Sequence, residues 1–265
     1  MSIADKLTTI AENVPKVHDA GYQEGRVFGY NLGVEDGIEE GKPLGKREWM
    51  DKYQRAGGQY PTRYCMSMFA GLGWTNETFK PVLDIRVANA QYMFNNSGIT
   101  ANISKLCEER GVLLDFSPCT GFTSTFQNSK ITGIDTIDTR NASDISSIFG
   151  GARAMVEIND LILKDDGSQK FGNSSFSSCS SLVNLQITGV IGMTVSISAS
   201  PLNRASIESV VNALSDTKTG QTLTLNLDAV NKAFETSEGL NDGGASVEWS
   251  NLADTRPNWT IELSR

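Results

Sequence analysis

Phenylalanine returns through the middle of this chain in one recurring setting, and that setting restricts what the chain can fold into. "YMFNNSGIT" (92–100) places Phe94 five residues before Ile99, and "STFQNSKITGIDTID" (124–138) places Phe126 before Ile131, Ile134 and Ile137. "SSIFGGARAMVEINDLIL" (146–163) sets Phe149 before Met155, Ile158 and Leu161, and "SSFSSCSSLVNLQITGVIG" (174–192) sets Phe176 before Leu182, Leu185 and Ile187. Successive phenylalanines lie 32, 23 and 27 residues apart. A period in the twenties with F-x-[NSG] ahead of spaced aliphatics marks a stacked repeat. One ring per repeat then lies inside, short parallel strands supply the aliphatics, and Ser, Asn and Gly turn the corners. No single repeat buries its apolar face alone; stacking does so.

The expected fold is therefore a leucine-rich-repeat solenoid of short parallel strands over residues 89–200. Its expected repeat core is Phe94, Ile99, Phe126, Ile131, Phe149, Ile158, Phe176, Leu182 and Leu185. Such an array needs covered ends. Residues 46–88, with Trp49, Tyr53, Tyr60, Tyr64, Phe69, Trp74 and Phe79, read as an irregular N-terminal cap. Residues 201–265 read as a C-terminal α/β cap. In it, Ala205–Ser215 forms an amphipathic helix with Ile207, Val210, Val211 and Leu214 inward, and Thr222–Asn226 an alternating strand. A last short helix and strand bring Trp249 and Trp259 against the final repeat.

Residues 1–45 follow different rules. Ile3, Leu7, Ile10, Val14 and Val17 form a short heptad seam. Its continuation is Gly21, from which glycine occupies every fourth position: Gly21, Gly25, Gly29, Gly33, Gly37, Gly41 and Gly45. At ordinary glycine usage, six further in-register hits arise by chance about once in ten million. Each glycine costs a helix about 0.8–1.0 kcal/mol relative to Ala, so no lone helix tolerates the run. A flexible acidic linker is the alternative, but linkers do not keep a four-residue register with Tyr22, Phe28 and Tyr30 between. The expectation is a helical oligomerisation stalk in which glycines let neighbouring backbones touch. A repeat longer than 3.6 residues winds such partners right-handedly.

Composition removes several function classes. The net charge of −8 and pI near 4.8, with no basic run, argue against nucleic acid. The first residues lack an apolar signal core, and no stretch approaches the ~20 apolar residues of a membrane span. The chain is thus expected to have no signal peptide and no membrane partner. Cys65, Cys107, Cys119 and Cys179 form no CxxC pair and are expected to be buried thiols of a chain made in a reducing cytosol.

The sequence offers little chemistry. His18 is the only histidine and lies outside the repeats, so no Ser-His-Asp, Cys-His or histidine–zinc site is expected there. "KDDGSQ" (164–169) lacks the alternating ligands of a calcium loop and reads as an Asp-Gly turn. "GSQKFGNSSF" lacks the G-K-[ST] of a phosphate loop. Asp135, Asp138, Glu157 and Asp160 fall on outward strand positions. Paired carboxylates are what a glycan hydrolase needs, but a solvated charged face needs them too. No enzyme, cofactor or metal is expected.

"SFSSCSSLVNLQITGVIG" resembles the repeat turn of BspA-like leucine-rich repeats, with Phe176, Cys179, Leu182, Leu185 and Ile187 in the matching places. "PLNRASIESVVNALSDTKTGQTLTLNLDAVNKAF" (201–234) is similar to the closing segment of phage and prophage proteins that carry such repeats. "SIADKLTTIAENVPKVHDAGYQEG" resembles the opening of virion-associated proteins in phages of Gram-positive hosts. Only the Phe176 repeat carries the cysteine. The resemblance implies a virion structural protein of the tail-fibre or appendage kind, assembled in the bacterial host cytoplasm. It implies a homo-oligomer, with the trimer as the usual fibre number, joined to other virion proteins through its N-terminus. The expected partner of the solenoid is a host cell-surface protein or glycan. An architectural virion part and a glycan depolymerase are the alternatives.

Overall fold

The computed structural model describes residues 63–81, 84–172, 174–235 and 246–264. The whole expected stalk (Ile3, Leu7, Ile10, Val14, Val17 and Gly21, Gly25, Gly29, Gly33, Gly37, Gly41) and His18 lie outside these residues, as do Trp49, Tyr53 and Tyr60 of the expected cap.

The described chain runs β1 (Arg63–Tyr64), β2 (Ile85–Asn89), α1 (Ile103–Glu109), β3 (Leu114–Asp115), β4 (Gly133–Asp138), β5 (Glu157–Ile162), β6 (Asn184–Thr188), β7 (Val195–Ser196), α2 (Arg204–Asn212), β8 (Gln221–Asn226), α3 (Leu227–Ala233), α4 (Val247–Asp254) and β9 (Trp259–Ser264). The strands form three small sheets, in the orders β1-β2-β3, β4-β5-β6 and β7-β8-β9, and every pairing is parallel.

Between the strands lie loops built to one pattern around a phenylalanine. Phe69, Phe94, Phe126, Phe149 and Phe176 stack with centroids 5.3, 5.3, 5.5 and 5.6 Å apart and planes within 20° of parallel. That spacing is a little above the ~4.8 Å between paired strands, so each layer contributes one ring. The backbone locks the stack. Phe69 N donates to Met93 O (2.8 Å), Phe94 N to Thr125 O (2.8 Å), Phe126 N to Ile148 O (2.8 Å) and Phe149 N to Ser175 O (3.0 Å).

Each ring is held by left-handed residues two positions away. Ser67 and Gly71 flank Phe69, Tyr92 and Asn96 flank Phe94, Ser124 and Asn128 flank Phe126, Ser147 and Gly151 flank Phe149, and Ser178 follows Phe176. The non-glycine members have φ between 53° and 59°. Side chains visit that region at a cost of about 1–2 kcal/mol, least for Asn. The F-x-[NSG] pattern of the sequence is thus a backbone requirement at the position after next.

Phe94, Ile99, Phe126, Ile131, Phe149, Ile158, Phe176, Leu182 and Leu185 are all fully enclosed. Phe69 joins the same stack, although its position placed it in the expected 46–88 cap. β1 and β2 likewise begin the parallel pairing before residue 89. The place of Cys179, three residues after its phenylalanine, is taken by the small buried residues Ser97, Ser129 and Ala152 after Phe94, Phe126 and Phe149, whereas Leu72 after Phe69 is exposed.

In the middle sheet the inward residues are Ile134 and Ile137 of β4, Ile158 and Leu161 of β5, and Leu185 of β6, with Ile187 partly buried against the core. Ile158 pairs with Leu185 and Leu161 with Ile187, so β5 carries one extra residue as a bulge. Both edges of this sheet are closed by helices through serine hydroxyls. Ser104 Oγ of α1 accepts from Asp135 N (3.0 Å), while Ser206 Oγ and Ser209 Oγ of α2 accept from Leu185 N (2.8 Å) and Ile187 N (2.9 Å).

The C-terminal region closes around α2. This helix ends at Asn212 rather than Ser215, because Leu214 leaves it to bridge Ile191. Arg256 donates to its last-turn carbonyls at Val211 O (3.0 Å) and Asn212 O (2.9 Å). Leu223 and Leu225 of β8 point inward, and β9 pairs along β8 from Trp259 to Ser264. Trp249 and Trp259 are buried, and Trp259 Nε1 donates to Ser215 O at 2.9 Å.

Candidate functional site

The outward side chains of β4–β6 and the α1 cap form a connected polar surface. Asn102 precedes α1, and its Oδ1 accepts from Ser104 N (3.0 Å) and Lys105 N (3.2 Å), which is an ordinary N-cap. Its Nδ2 is thereby turned outward, where it donates to Asp135 Oδ1 (3.0 Å) and Glu157 Oε1 (2.7 Å). Lys105 Nζ donates to the same Glu157 oxygen at 2.7 Å. Asn159 Nδ2 donates to Asp135 Oδ1 at 3.0 Å, and farther along Thr188 Oγ1 donates to Asp160 Oδ1 at 2.9 Å.

Asp135 and Glu157 are therefore joined through one donor, as their outward placement anticipates. Asp138 belongs to another group, in a fork with Arg140: Nε to Oδ1 at 3.1 Å and Nη2 to Oδ2 at 2.7 Å. Beside that fork lies a recess of about 490 Å³ lined by Arg86, Ser117, Pro118, Asp138, Arg140 and Asn141. Arg86 comes from β2, and its Nε sits 3.2 Å from Asp115 Oδ2.

This arrangement determines the available chemistry. The Lys105 ammonium, with help from Asn102, holds the Glu157 carboxyl below its ordinary range, and the Arg140 guanidinium does the same for Asp138. Both are ionised acceptors at neutral pH, whereas a glycosidase acid needs a carboxyl whose pKa is raised. The buried thiols point the same way. Burial pushes Cys119 up to about 11 and Cys179 up to about 12, far from the lowered values of nucleophilic cysteines. All four cysteines are reduced and buried. Among the described residues no group of three His, Cys, Asp or Glu is placed to hold a metal ion. In "KDDGSQ", Asp166 Oδ1 accepts from Ser168 N at 2.9 Å and Gly167 has φ of 63°, a tight turn.

Sequence reasoning did not find Asn102, Lys105, Arg86, Arg140 or Asn141. Asn102 alone carried a local signal, as an Asn ahead of a helical run. Lys105, Arg86 and Asn141 are brought to their partners across the sheet stacking, 52 residues apart for Lys105 and Glu157, while Arg140 pairs locally with Asp138, two residues before it.

Among the described residues no helix is long and apolar enough to cross a membrane. No family model, curated protein or solved structure matches this chain.

Proposed function

We propose that this chain is a non-enzymatic virion structural protein, a fibre or appendage of a bacteriophage, whose leucine-rich-repeat solenoid mediates attachment to the host surface. Residues 1–45 multimerise identical chains, a trimer in the usual fibre number, and join them to other virion proteins. The stacked coils hold a broad polar face outward. Weak sites repeated on linked chains gain avidity without new contacts.

The observation that carries this reading is the polar face itself. Its carboxylates are fixed as acceptors by Asn102, Lys105 and Arg140 on strands made rigid by the ring column behind them. A surface organised in this way is suited to polar recognition and not to proton transfer. The sequence resemblance supplies the virion setting.

The test is adsorption of fluorescently labelled full chain to Gram-positive cells and purified cell walls, paired with light scattering on the same sample. Saturable adsorption by a defined oligomer supports attachment. A chain found on virions by immunolabelling that adsorbs to no cell supports an architectural part. Reducing ends released from cell-wall glycan, lost in Asp135→Ala or Glu157→Ala, would establish a depolymerase.

A further inference from the structure

We propose that the recess between the first and middle sheets binds an acidic saccharide, gripping its carboxylate or phosphate oxygens with Arg86 and Arg140. This rests on the attachment reading and gives it a ligand class.

The recess lies where the strand ladder is interrupted. β3 pairs with β2 and β4 with β5, but β3 and β4 belong to different sheets. Across the break Asn141 Nδ2 donates to Ser117 O at 2.6 Å, so the floor of the recess is tied rather than loose. Its volume, about 490 Å³, is within the ~300–1,000 Å³ of small-molecule sites. Its lining is not typical of such sites: Pro118 is the one apolar residue, beside two arginines, Asp138, Ser117 and Asn141. The ligand must therefore be hydroxylated and polar.

The two arginines decide its charge. A guanidinium has five N–H donors in a fixed plane. Arg140 uses Nε and Nη2 on Asp138, leaving Nη1 without a partner among the described residues. Arg86 has its Nε at Asp115 and leaves both terminal nitrogens similarly unpartnered. Asp138 fixes the Arg140 guanidinium plane through two hydrogen bonds, Asp115 anchors Arg86 by one ion pair at Nε, and the remaining N–H groups of both stay open. Directed pairs of N–H groups of this kind match the oxygens of a carboxylate or phosphate. Asn141 Oδ1 remains as an acceptor for sugar hydroxyls, and Pro118 gives a small apolar face for ring C–H groups. Because the aspartates already balance the guanidinium charge, binding is held by geometry more than by net attraction. A single site is then weak, which suits repeated display on linked chains.

The test follows arginine side-chain Nε–H signals of the full chain by NMR during titration with D-glucuronate, glycerol 3-phosphate and D-glucose. Expected are saturable shifts at Arg86 and Arg140 with one or both anions, at least tenfold weaker with glucose. The double variant Arg86→Gln/Arg140→Gln abolishes them, and Arg153→Gln, on an exposed loop residue, leaves them unchanged. Preference for glucuronate identifies a sugar acid as the source of the oxyanion, and preference for glycerol 3-phosphate a phosphate-bearing polymer. Equal response to glucose, or non-saturating shifts spread over other arginines, overturns the proposal. Cell adsorption separates the two readings. If wild type and double variant adsorb equally, the recess proposal falls and attachment stands. If the anions bind but the wild type adsorbs to no cell, attachment falls and the recess remains a binding site.

Discussion

The interior column and the outward face are built from the same layers yet obey opposite rules. Inside, the layers of Phe69, Phe94, Phe126 and Phe149 repeat one plan: a phenylalanine, left-handed neighbours two residues away on both sides, and a backbone bond to the next layer. Outside, no two layers agree. β4 presents Asp135 and Asp138, β5 presents Glu157, Asn159 and Asp160, and β6 presents Asn184 and Thr188. Repetition specifies the scaffold because a stacked ring is satisfied only by another ring. The outer face has no such constraint and is free to vary, which is where recognition can be written.

Substitutions should separate the two rules by size of effect. The largest belongs to the column. Phe126 touches rings on both sides, 5.3 Å from Phe94 and 5.5 Å from Phe149, so Phe126→Ala should cost about 3–5 kcal/mol, read by urea denaturation. A loss under 1 kcal/mol would show that the column does not hold the layers together. Next comes the sheet edge. Ser206→Ala removes the buried acceptor of Leu185 N and should cost about 1–3 kcal/mol, with faster amide exchange at Leu185. An unchanged exchange rate would mean that the hydroxyl does not close that edge.

A smaller effect tests the left-handed positions. Asn128→Ala should destabilise by about 1 kcal/mol while Asn128→Gly stays within about 0.5 kcal/mol of wild type, since glycine adopts φ of 56° freely. Equal losses in both would point to the Asn side chain rather than its backbone. The smallest effect belongs to the face. Glu157 has its pKa lowered in the fold, so its contribution is present above the ordinary carboxylate range and is lost as pH falls through the lowered value. Glu157→Gln should therefore differ from wild type in melting temperature at pH 7 by less than any interior variant. That difference should vanish in acid. A difference that grows in acid would reverse the assignment.

How far the sequence could be read follows the same division. The ring positions were legible because burial repeats: Phe94, Phe126, Phe149 and Phe176 each carry a small or turn-forming residue two places on. Phe69 carries the same mark in Phe69-Ala70-Gly71, but the aliphatics expected after it are replaced by "LGWTNETF", so from sequence its layer reads as a cap. The 32-residue step from Phe94 to Phe126 was visible, but α1 and β3 within it were not. Seven residues give two turns of helix, too few for a periodic signal. The recess was beyond reach for a different reason. Arg86 and Arg140 meet only because separate layers bring them to one place, and nothing in the local sequence of either records the other.

The serines at the two edges of the middle sheet have a consequence for how such a chain can lengthen. A duplicated layer inserted between β4 and β5, or between β5 and β6, would find a strand waiting on each side and would disturb neither helix. A layer added beyond β6 would have to evict Ser206 and Ser209 from the N–H groups they already satisfy. The sheet is open to growth from within and shut at its ends. New binding surface would therefore be gained by duplication in the middle of the gene, with the termini of the array inherited intact.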